Sequence, residues 1–197
     1  MKLPNLLTVV VGLLQGVASK SKYSACPDIS PGPATAFQLP EILPISLFTD
    51  PIATESIRNT LALYAFALDG RNWAAFSRVF APNVRANYSE PLGIMYGVQN
   101  ITDKISAAAS QFASTQHRYG TQYIAICSPS TAISVTYLQA SHFLWPDIGP
   151  VVEDDNHTLF ATGRYEDTWA KSSDGTWKIV NRNFVFMGPL IGSMGFQ

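Results

Sequence analysis

The sequence predicts an α+β domain in which three helices precede a run of antiparallel strands. Apolar residues recur at helical spacing between residues 55 and 112. After residue 119 the chain changes to long β-branched and aromatic segments separated by turn clusters. Helices followed by strands are typical of an α+β fold. A strongly curved sheet wrapped against three helices would form a cone with an interior pocket.

The composition indicates one domain with an extension. The chain has 197 residues, of which 47% are hydrophobic and 14% charged, and its formal net charge is −1. A domain commonly has roughly 100–200 residues. The near-neutral charge removes the electrostatic attraction to phosphate, so we expect no nucleic-acid partner.

The N-terminus has the features of a secretory signal peptide over residues 1–18. A basic start is followed by an apolar stretch and by small residues before a cleavage site near Ala18. An uncleaved signal anchor is the alternative. We therefore expect the protein in the secretory pathway or outside the cell.

Two further features agree with a secretory route. Acceptor triplets for N-glycosylation begin at Asn87, Asn100 and Asn156, and the polar surroundings of Asn156 make it the preferred site. The two cysteines, Cys26 and Cys127, predict a disulfide between the N-terminal region and the domain. Two separate buried thiols are the alternative.

The elements of the domain follow in order. Residues 19–51 contain closely spaced prolines, which predict an extended arm without a regular helix, and residues 52–197 form the domain. We expect Thr54 to cap the first helix and Pro82 to stop the second. The predicted helices are Glu55–Leu68, Asn72–Phe80 and Val98–Phe112, and the predicted strands are Val84–Tyr88, Tyr119–Cys127, Ala132–Trp145, Thr158–Ala170 and Trp177–Phe186.

Three side chains are the first candidates for chemistry. His117 stands at the opening of the first long predicted strand, His142 lies late in the next one, and Asp69 ends the first predicted helix. A carboxylate beside an imidazole orients the ring and raises its basicity for proton transfer. The structural alternatives are that Asp69 is a turn residue before Gly70 and that the histidines serve hydrogen bonding within the sheet.

Five short motifs resemble the SnoaL-like branch of the NTF2-like superfamily, over roughly residues 52–190. That superfamily includes polyketide cyclases, ketosteroid isomerase, limonene epoxide hydrolase and scytalone dehydratase. The resemblance implies the cone-shaped fold, no cofactor or metal, and a homodimer formed through the open sheet face. The motifs are Asp69-Gly70-Arg71-Asn72-Trp73, Phe80-Ala81-Pro82, Thr115-Gln116-His117, Tyr165 with Asp167, and Asp174-Gly175-Thr176-Trp177-Lys178.

The site residues are most similar to those of the fungal scytalone dehydratases. The resemblance implies that Asp69, His117, His142 and Tyr88 are catalytic. We expect the Asp69–His117 pair to act as the general base, and His142 and Tyr88 to donate to the departing or developing oxygen. The sequence departs from that family at Leu68, where the dehydratases have a second tyrosine, and in the strand containing Tyr165, which lacks their asparagine. These departures disfavour the melanin substrate.

The remaining inward residues fit a pocket for a small hydrophobic, oxygenated substrate. Tyr165 and Asp167 share a strand face. A second inward carboxylate resembles the active sites of the epoxide hydrolases in this superfamily. The alternative is that Tyr165 and Asp167 form a structural hydrogen bond within the sheet. The residues expected to line the pocket are Tyr64, Trp73, Phe112, Tyr165 and Asp167.

These observations predict a cofactor-independent acid–base enzyme that makes or breaks a C–O bond in a polyketide-like secondary metabolite. Either an epoxide hydrolase or cyclase, or a dehydratase, fits the residues, and the lost melanin-specific positions favour the former. Two histidines and a carboxylate would also fit an iron site, which the resemblance to metal-free proteins disfavours. A second class of function is a non-catalytic module that binds a hydrophobic ligand in the same cone. A third class is a secreted structural or effector protein, which would have a filled core without a pocket.

Overall fold

The computed structural model describes residues 26–45, 50–144 and 157–193. The predicted signal peptide and Asn156 lie outside these residues. Within them, no helix combines the length and the apolar character needed to cross a membrane.

The helices lie in the N-terminal half of the domain. The longest, α2, begins four residues before the predicted start, because the Asp50 side chain caps it by accepting a hydrogen bond from the Ala53 N–H at 3.0 Å. Pro51 occupies the first turn, where no N–H donor is required, so Thr54 is not the cap. The helical elements are α1 (Leu39–Ile42), α2 (Pro51–Asp69), a 3-10 turn (Trp73–Ala75), α3 (Phe76–Val79) and α4 (Val98–Ala109).

The described strands form one seven-stranded sheet in the order β2-β1-β6-β5-β4-β3, with β7 paired to β5. Its pairs are antiparallel except for β1 with β6, which is parallel. The sheet is curved and unclosed, and with the helices it gives the predicted α+β fold. The strands are β1 (Phe80–Asn87), β2 (Ile94–Tyr96), β3 (Phe112–Ile126), β4 (Thr131–Leu144), β5 (Thr158–Lys171), β6 (Trp177–Phe186) and β7 (Ile191–Gly192).

Two predicted boundaries are wrong at the junctions between helix and strand. Pro82 does not end a helix but lies within β1. The pairing of β1 with β6 shifts between Phe80 and Arg85, and Pro82 therefore needs no place in the regular hydrogen-bond ladder. Likewise, Phe112 belongs to β3 and not to the preceding helix, which ends at Ala109.

The core lies between the concave face of the sheet and the helices. Helix α2 contributes Ile57, Leu61 and Tyr64, which are at most 1% exposed and recur every three or four residues. Trp169 and Ile179 face them from β5 and β6 and are fully buried. This packing holds α2 against the concave face of the sheet.

Residues 26–45, here called the N-terminal arm, cover part of the opposite face of the sheet. A disulfide joins Cys26 to Cys127 beyond the end of β3. The backbone of Ala34 donates to Glu166 Oε2 at 2.9 Å and accepts from Arg164 Nη2 at 2.7 Å. Arg164 also bonds Glu166 directly at 2.9 Å, and both residues are at most 3% exposed. The arm thus supplies partners for charges that the sheet alone would leave unsatisfied.

The arm is extended for most of its length, as its prolines predict, but it contains the one-turn helix α1. Pro40 lies in the first turn of that helix, where its missing N–H removes no hydrogen bond. The prediction of an arm without any regular helix is therefore wrong at these four residues.

Candidate active site

A cavity of about 550 Å³ opens between the concave sheet face, α2 and α4. Most of its wall is apolar, and polar side chains interrupt that wall in a few places. Leu68, Ile105, Leu138, Ala140, Leu159, Ala161 and Phe184 are among the apolar lining residues, while Tyr64, Tyr88, Thr115, His117, His142 and Tyr165 bring polar atoms to it. An apolar cavity with a few convergent polar groups is the usual form of a small-molecule site.

Asp69 and His117 form a hydrogen-bonded pair at the cavity wall. Asp69 is the last residue of α2, and its Oδ1 lies 2.7 Å from Nδ1 of His117. Its Oδ2 accepts the backbone N–H of His117 at 2.8 Å, and Thr115 Oγ1 donates to Oδ1 at 2.9 Å. Burial opposes ionisation of Asp69, but the hydrogen bonds from His117 and Thr115 outweigh it, so the pKa of Asp69 is lowered.

This pairing decides which tautomer His117 adopts. An ionised carboxylate only accepts hydrogen bonds, so Nδ1 of His117 carries the proton. In the neutral ring, Nε2 then presents a lone pair at the opposite edge. His117 lines the cavity and its side chain is 8% exposed. An imidazole oriented in this way is suited to act as a general base.

Arg71 supports the pair from the turn after α2. It adopts a positive φ of 57°, which is uncommon for a residue with a side chain. Its guanidinium donates to Leu68 O at 3.1 Å, to Thr115 Oγ1 at 3.2 Å and to Phe112 O at 3.3 Å. Arg71 therefore ties the end of α2 to the start of β3, which is the junction that aligns Asp69 with His117.

His142 lies beside His117 but has a different partner. The two ring centroids are 5.8 Å apart, and Nδ1 of His142 donates to the carbonyl oxygen of Leu159 at 3.1 Å. Burial, reinforced by the neighbouring His117, lowers the pKa of His142 to about 4. The ring is therefore neutral at pH 7, with a lone pair on Nε2. We expected His142 to donate a proton to an oxygen, whereas this tautomer accepts a hydrogen bond there.

Tyr88 contributes a hydroxyl to the cavity from the residue after β1. Its oxygen lies 2.9 Å from the Tyr64 oxygen and accepts a hydrogen bond from Arg182 Nη1 at 3.4 Å. Burial raises the pKa values of Tyr64 and Tyr165, so both phenols stay protonated at neutral pH. The tyrosines thus provide hydrogen-bond donors within an apolar surrounding.

Two of the residues expected in the pocket lie elsewhere. Asp167 does not line the cavity because Arg182 binds both of its oxygens, at 2.7 and 2.8 Å, in a fully buried pair behind the tyrosines. Trp73 packs edge-on against Phe76, with ring centroids 5.6 Å apart, also outside the lining. Tyr64, Phe112 and Tyr165 do line the cavity.

The expected modification sites differ in their surroundings. Asn100 is exposed in the first turn of α4, whereas Asn87 is half-buried in β1 and accepts the Ser89 N–H at 3.0 Å. This geometry favours Asn100 over Asn87 as an acceptor.

No group of three or more metal-ligating side chains occurs within residues 26–45, 50–144 and 157–193.

Residues 52–183 match the family model of the SnoaL-like domain. The chain belongs to the SnoaL-like domain family. Its fold is that of the NTF2-like superfamily, and an NTF2-like protein from Salmonella enterica superposes with a TM-score of 0.56 at 17% identity, covering 74% of this chain and 97% of that one.

Two further solved structures share the fold. A proposed scytalone dehydratase from Novosphingobium aromaticivorans is 18% identical and gives a TM-score of 0.59, covering 74% of this chain and 95% of that one. A type 3 hexachlorocyclohexane dehydrochlorinase from Novosphingobium barchaimii is 12% identical with a TM-score of 0.60, covering 74% and 93%. At these identities the similarity shows the fold.

Arg71, Thr115 and Arg182 were not among the residues predicted for the site. Arg71 and Thr115 occur inside the quoted motifs, at positions two residues from Asp69 and His117, so proximity to the candidates was the available signal. Arg182 had no such signal, because its inward direction depends on a bulge in β6. The pairing steps from Trp169–Ile179 to Thr168–Asn181, which leaves Val180 unpaired and reverses the alternation.

Proposed function

We propose that this protein is a cofactor-independent acid–base enzyme that eliminates water from an apolar, oxygenated, polyketide-like metabolite. The observation that carries the proposal is the Asp69–His117 pair, which presents a basic nitrogen to an apolar cavity. A ligand carrier gains nothing from a carboxylate-oriented imidazole, whose partial burial costs solvation.

The proposed reaction begins with proton transfer to His117. Its Nε2 removes a proton from the carbon next to a substrate carbonyl, while the Tyr88 O–H donates a hydrogen bond to the carbonyl oxygen as negative charge develops there. The electron pair then forms a C=C bond, and the bond to the β-hydroxyl group breaks. The His117 imidazolium returns its proton to the departing oxygen, which leaves as water.

The ion pair of Asp167 with Arg182 favours elimination over epoxide opening. Hydrolysis of an epoxide by the alternative mechanism would need this second carboxylate free to activate water. Asp167 is instead bound through both oxygens by Arg182 and does not reach the cavity. The names of two structural neighbours, a dehydratase and a dehydrochlorinase, also denote eliminations.

We therefore propose a lyase reaction in preference to the hydrolase or cyclase that the sequence favoured. The polar groups of the cavity suit this chemistry, since one base and one donor suffice for an elimination. The apolar wall, which includes Leu138, Ala140 and Ala161, would exclude bulk water and fits a substrate with a carbon skeleton of few polar groups.

The test is metabolite profiling of the native host in water enriched in heavy oxygen. Cells carry the wild-type chain, His117→Ala, or His157→Ala as a matched control, because His157 does not line the cavity. We expect only His117→Ala to accumulate a hydroxylated precursor that is one water heavier than the wild-type product. We also expect the wild-type product to take up no heavy oxygen at the reacting carbon.

Two results would contradict the proposal in different ways. Heavy oxygen at the reacting carbon of the product would show that water is added there, and epoxide opening would replace elimination. An unchanged profile with folded His117→Ala protein would remove the catalytic function altogether and favour a ligand-binding module.

We also propose that the protein acts in the secretory route. A disulfide between Cys26 and Cys127 persists in oxidising compartments and is rare in the cytosol. The glycosylation triplet at the exposed Asn100 supports the same location. Treatment of the native protein with an N-glycosidase should lower its apparent mass. Equal apparent masses of the treated and untreated samples would count against use of the triplets.

A further inference from the structure

Two phenolic hydroxyls meet at the cavity and form a pair. Tyr64 comes from the middle of α2 and is fully buried, and Tyr88 follows β1 and is 6% exposed. Both line the cavity, and their oxygens lie 2.9 Å apart. The mechanism above uses Tyr88 alone and leaves the hydroxyl of Tyr64 without a role.

The number of hydroxyl hydrogens determines how many hydrogen bonds the pair can donate to a substrate. The two hydroxyls carry two hydrogens, and the bond between them uses one. Arg182 Nη1 also bonds the Tyr88 oxygen, at 3.4 Å, and a guanidinium can only donate. Tyr64 also hydrogen-bonds the hydroxyl of Tyr165. With Tyr165 as the donor in that bond, the Tyr64–Tyr88 pair keeps one O–H for an oxygen atom in the cavity.

Arg182 determines which tyrosine keeps that hydrogen. Its guanidinium is fully buried and is held by Asp167 through two hydrogen bonds of 2.7 and 2.8 Å. It lies 3.8 Å from the ring centre of Tyr165 and 4.5 Å from that of Tyr64. A hydroxyl that donates to a developing anion gains negative charge itself, and the N–H of Arg182 stabilises this charge on the Tyr88 oxygen.

We propose that Tyr64 is a positioning residue that donates its hydroxyl hydrogen to Tyr88 and thereby directs the Tyr88 O–H at the substrate oxygen. This inference rests on the proposed function. The Tyr88 oxygen then accepts two hydrogen bonds, from Tyr64 and Arg182, and donates one. Tyr64 and Arg182 stabilise the charge that Tyr88 acquires as the substrate becomes an enolate.

The chain offers a matched control for removal of the hydroxyl. Tyr64→Phe keeps the ring and loses only the oxygen. Tyr119→Phe makes the same change at a buried hydroxyl that has no hydrogen-bond partner among the described residues and does not line the cavity. Any effect specific to the hydroxyl pair should therefore appear in the first variant and not in the second.

The first measurement is steady-state turnover of the substrate identified by metabolite profiling. We expect Tyr64→Phe to lower kcat about tenfold with little change in KM, since the hydrogen bond strengthens in the transition state. The limb of the pH–rate profile that reports the base should stay in place, and Tyr119→Phe should match the wild type. Equal kcat values for both variants, or a change confined to KM, would overturn the inference.

The second measurement does not depend on turnover. para-Nitrophenolate serves as a mimic of the enolate oxygen, and its binding is titrated by absorbance. All proteins carry His117→Ala, which removes the imidazolium that the phenolate could otherwise contact. We expect Tyr64→Phe to weaken binding about three- to tenfold, the size of one lost hydrogen bond, and Tyr119→Phe to leave it unchanged.

The two measurements separate failure of this inference from failure of the proposed function. If the wild type turns nothing over but the phenolate still binds in a manner that depends on Tyr64, the donor pair stands and the proposed reaction is wrong. If His117→Ala abolishes turnover and Tyr64→Phe behaves like Tyr119→Phe in both assays, the reaction stands and the role of Tyr64 is wrong. Thermal melting of each variant identifies a loss caused by unfolding.

Discussion

His142 should make the folded protein less stable in mild acid. Burial lowers its pKa from 6.5 to about 4 in the folded chain. As the pH falls below 6.5, the unfolded chain binds a proton that the folded chain does not take up until the pH approaches 4. Stability linked to His142 is therefore complete above pH 6.5 and is lost as the pH falls.

The size of this effect follows from the difference between the two pKa values. One pKa unit corresponds to about 1.4 kcal/mol, so the whole shift is worth about 3 kcal/mol. Between pH 7 and pH 5, the free energy of unfolding should fall by about 2 kcal/mol through His142 alone.

The measurement is urea denaturation, followed by tryptophan fluorescence, at pH 7 and pH 5. His142→Gln removes the titrating ring and keeps an amide that can donate to the Leu159 carbonyl. We expect the decrease between the two pH values to be about 2 kcal/mol smaller in this variant than in the wild type. His157→Gln is the control and should keep the wild-type decrease. If His142→Gln shows the wild-type decrease as well, the assignment of a buried, neutral His142 is wrong.

Three further outcomes follow from the site and the arm. Asp69→Asn removes the carboxylate that sets the His117 tautomer and should lower kcat about 10²- to 10⁴-fold in steady-state kinetics; wild-type turnover would refute the pairing. Ala161→Phe places a ring in the cavity and should abolish ligand binding and turnover while Thr162→Phe, on the exposed side of β5, does not; equal binding by both variants would mean that the cavity is not the site. Cys26→Ser should lower the free energy of unfolding by about 2–4 kcal/mol in urea, and a reducing agent should destabilise the wild type but not this variant; an unchanged midpoint would show that the disulfide does not stabilise the fold.

The order of helices and strands could be predicted because the change in hydrophobic period is strong. The boundary at β3 could not, since its first residues include Thr115, Gln116 and Arg118 and lack an apolar alternation. Those residues are polar because they face solvent or the Asp69–His117 pair. A strand whose side chains serve a site loses the pattern by which strands are recognised.

The candidate site shows the same limit at the level of single residues. The pairing of Asp69 with His117 could be predicted from the sequence, since each residue lies in a short motif and their residue types suggest acid–base chemistry. The direction of Asp167 also followed from strand alternation, but its partner did not. The bulge at Val180 turns Arg182 inward, and a bulge leaves no mark in the sequence that periodicity can detect. A carboxylate that looked available for hydrolysis is therefore neutralised by a residue on the next strand.

The N-terminal arm affects how an isolated fragment of the domain would behave. A chain cut to the family boundaries, residues 52–183, would leave the arm behind. Arg164 and Glu166 would then face water without the backbone of Ala34, and Cys127 would become an unpaired thiol. Such a fragment would also expose the face of the sheet that the arm covers, and other copies of the fragment could bind there. Its oligomeric state would then reflect the truncation. The homodimer expected through the open sheet face should accordingly be sought with the arm in place.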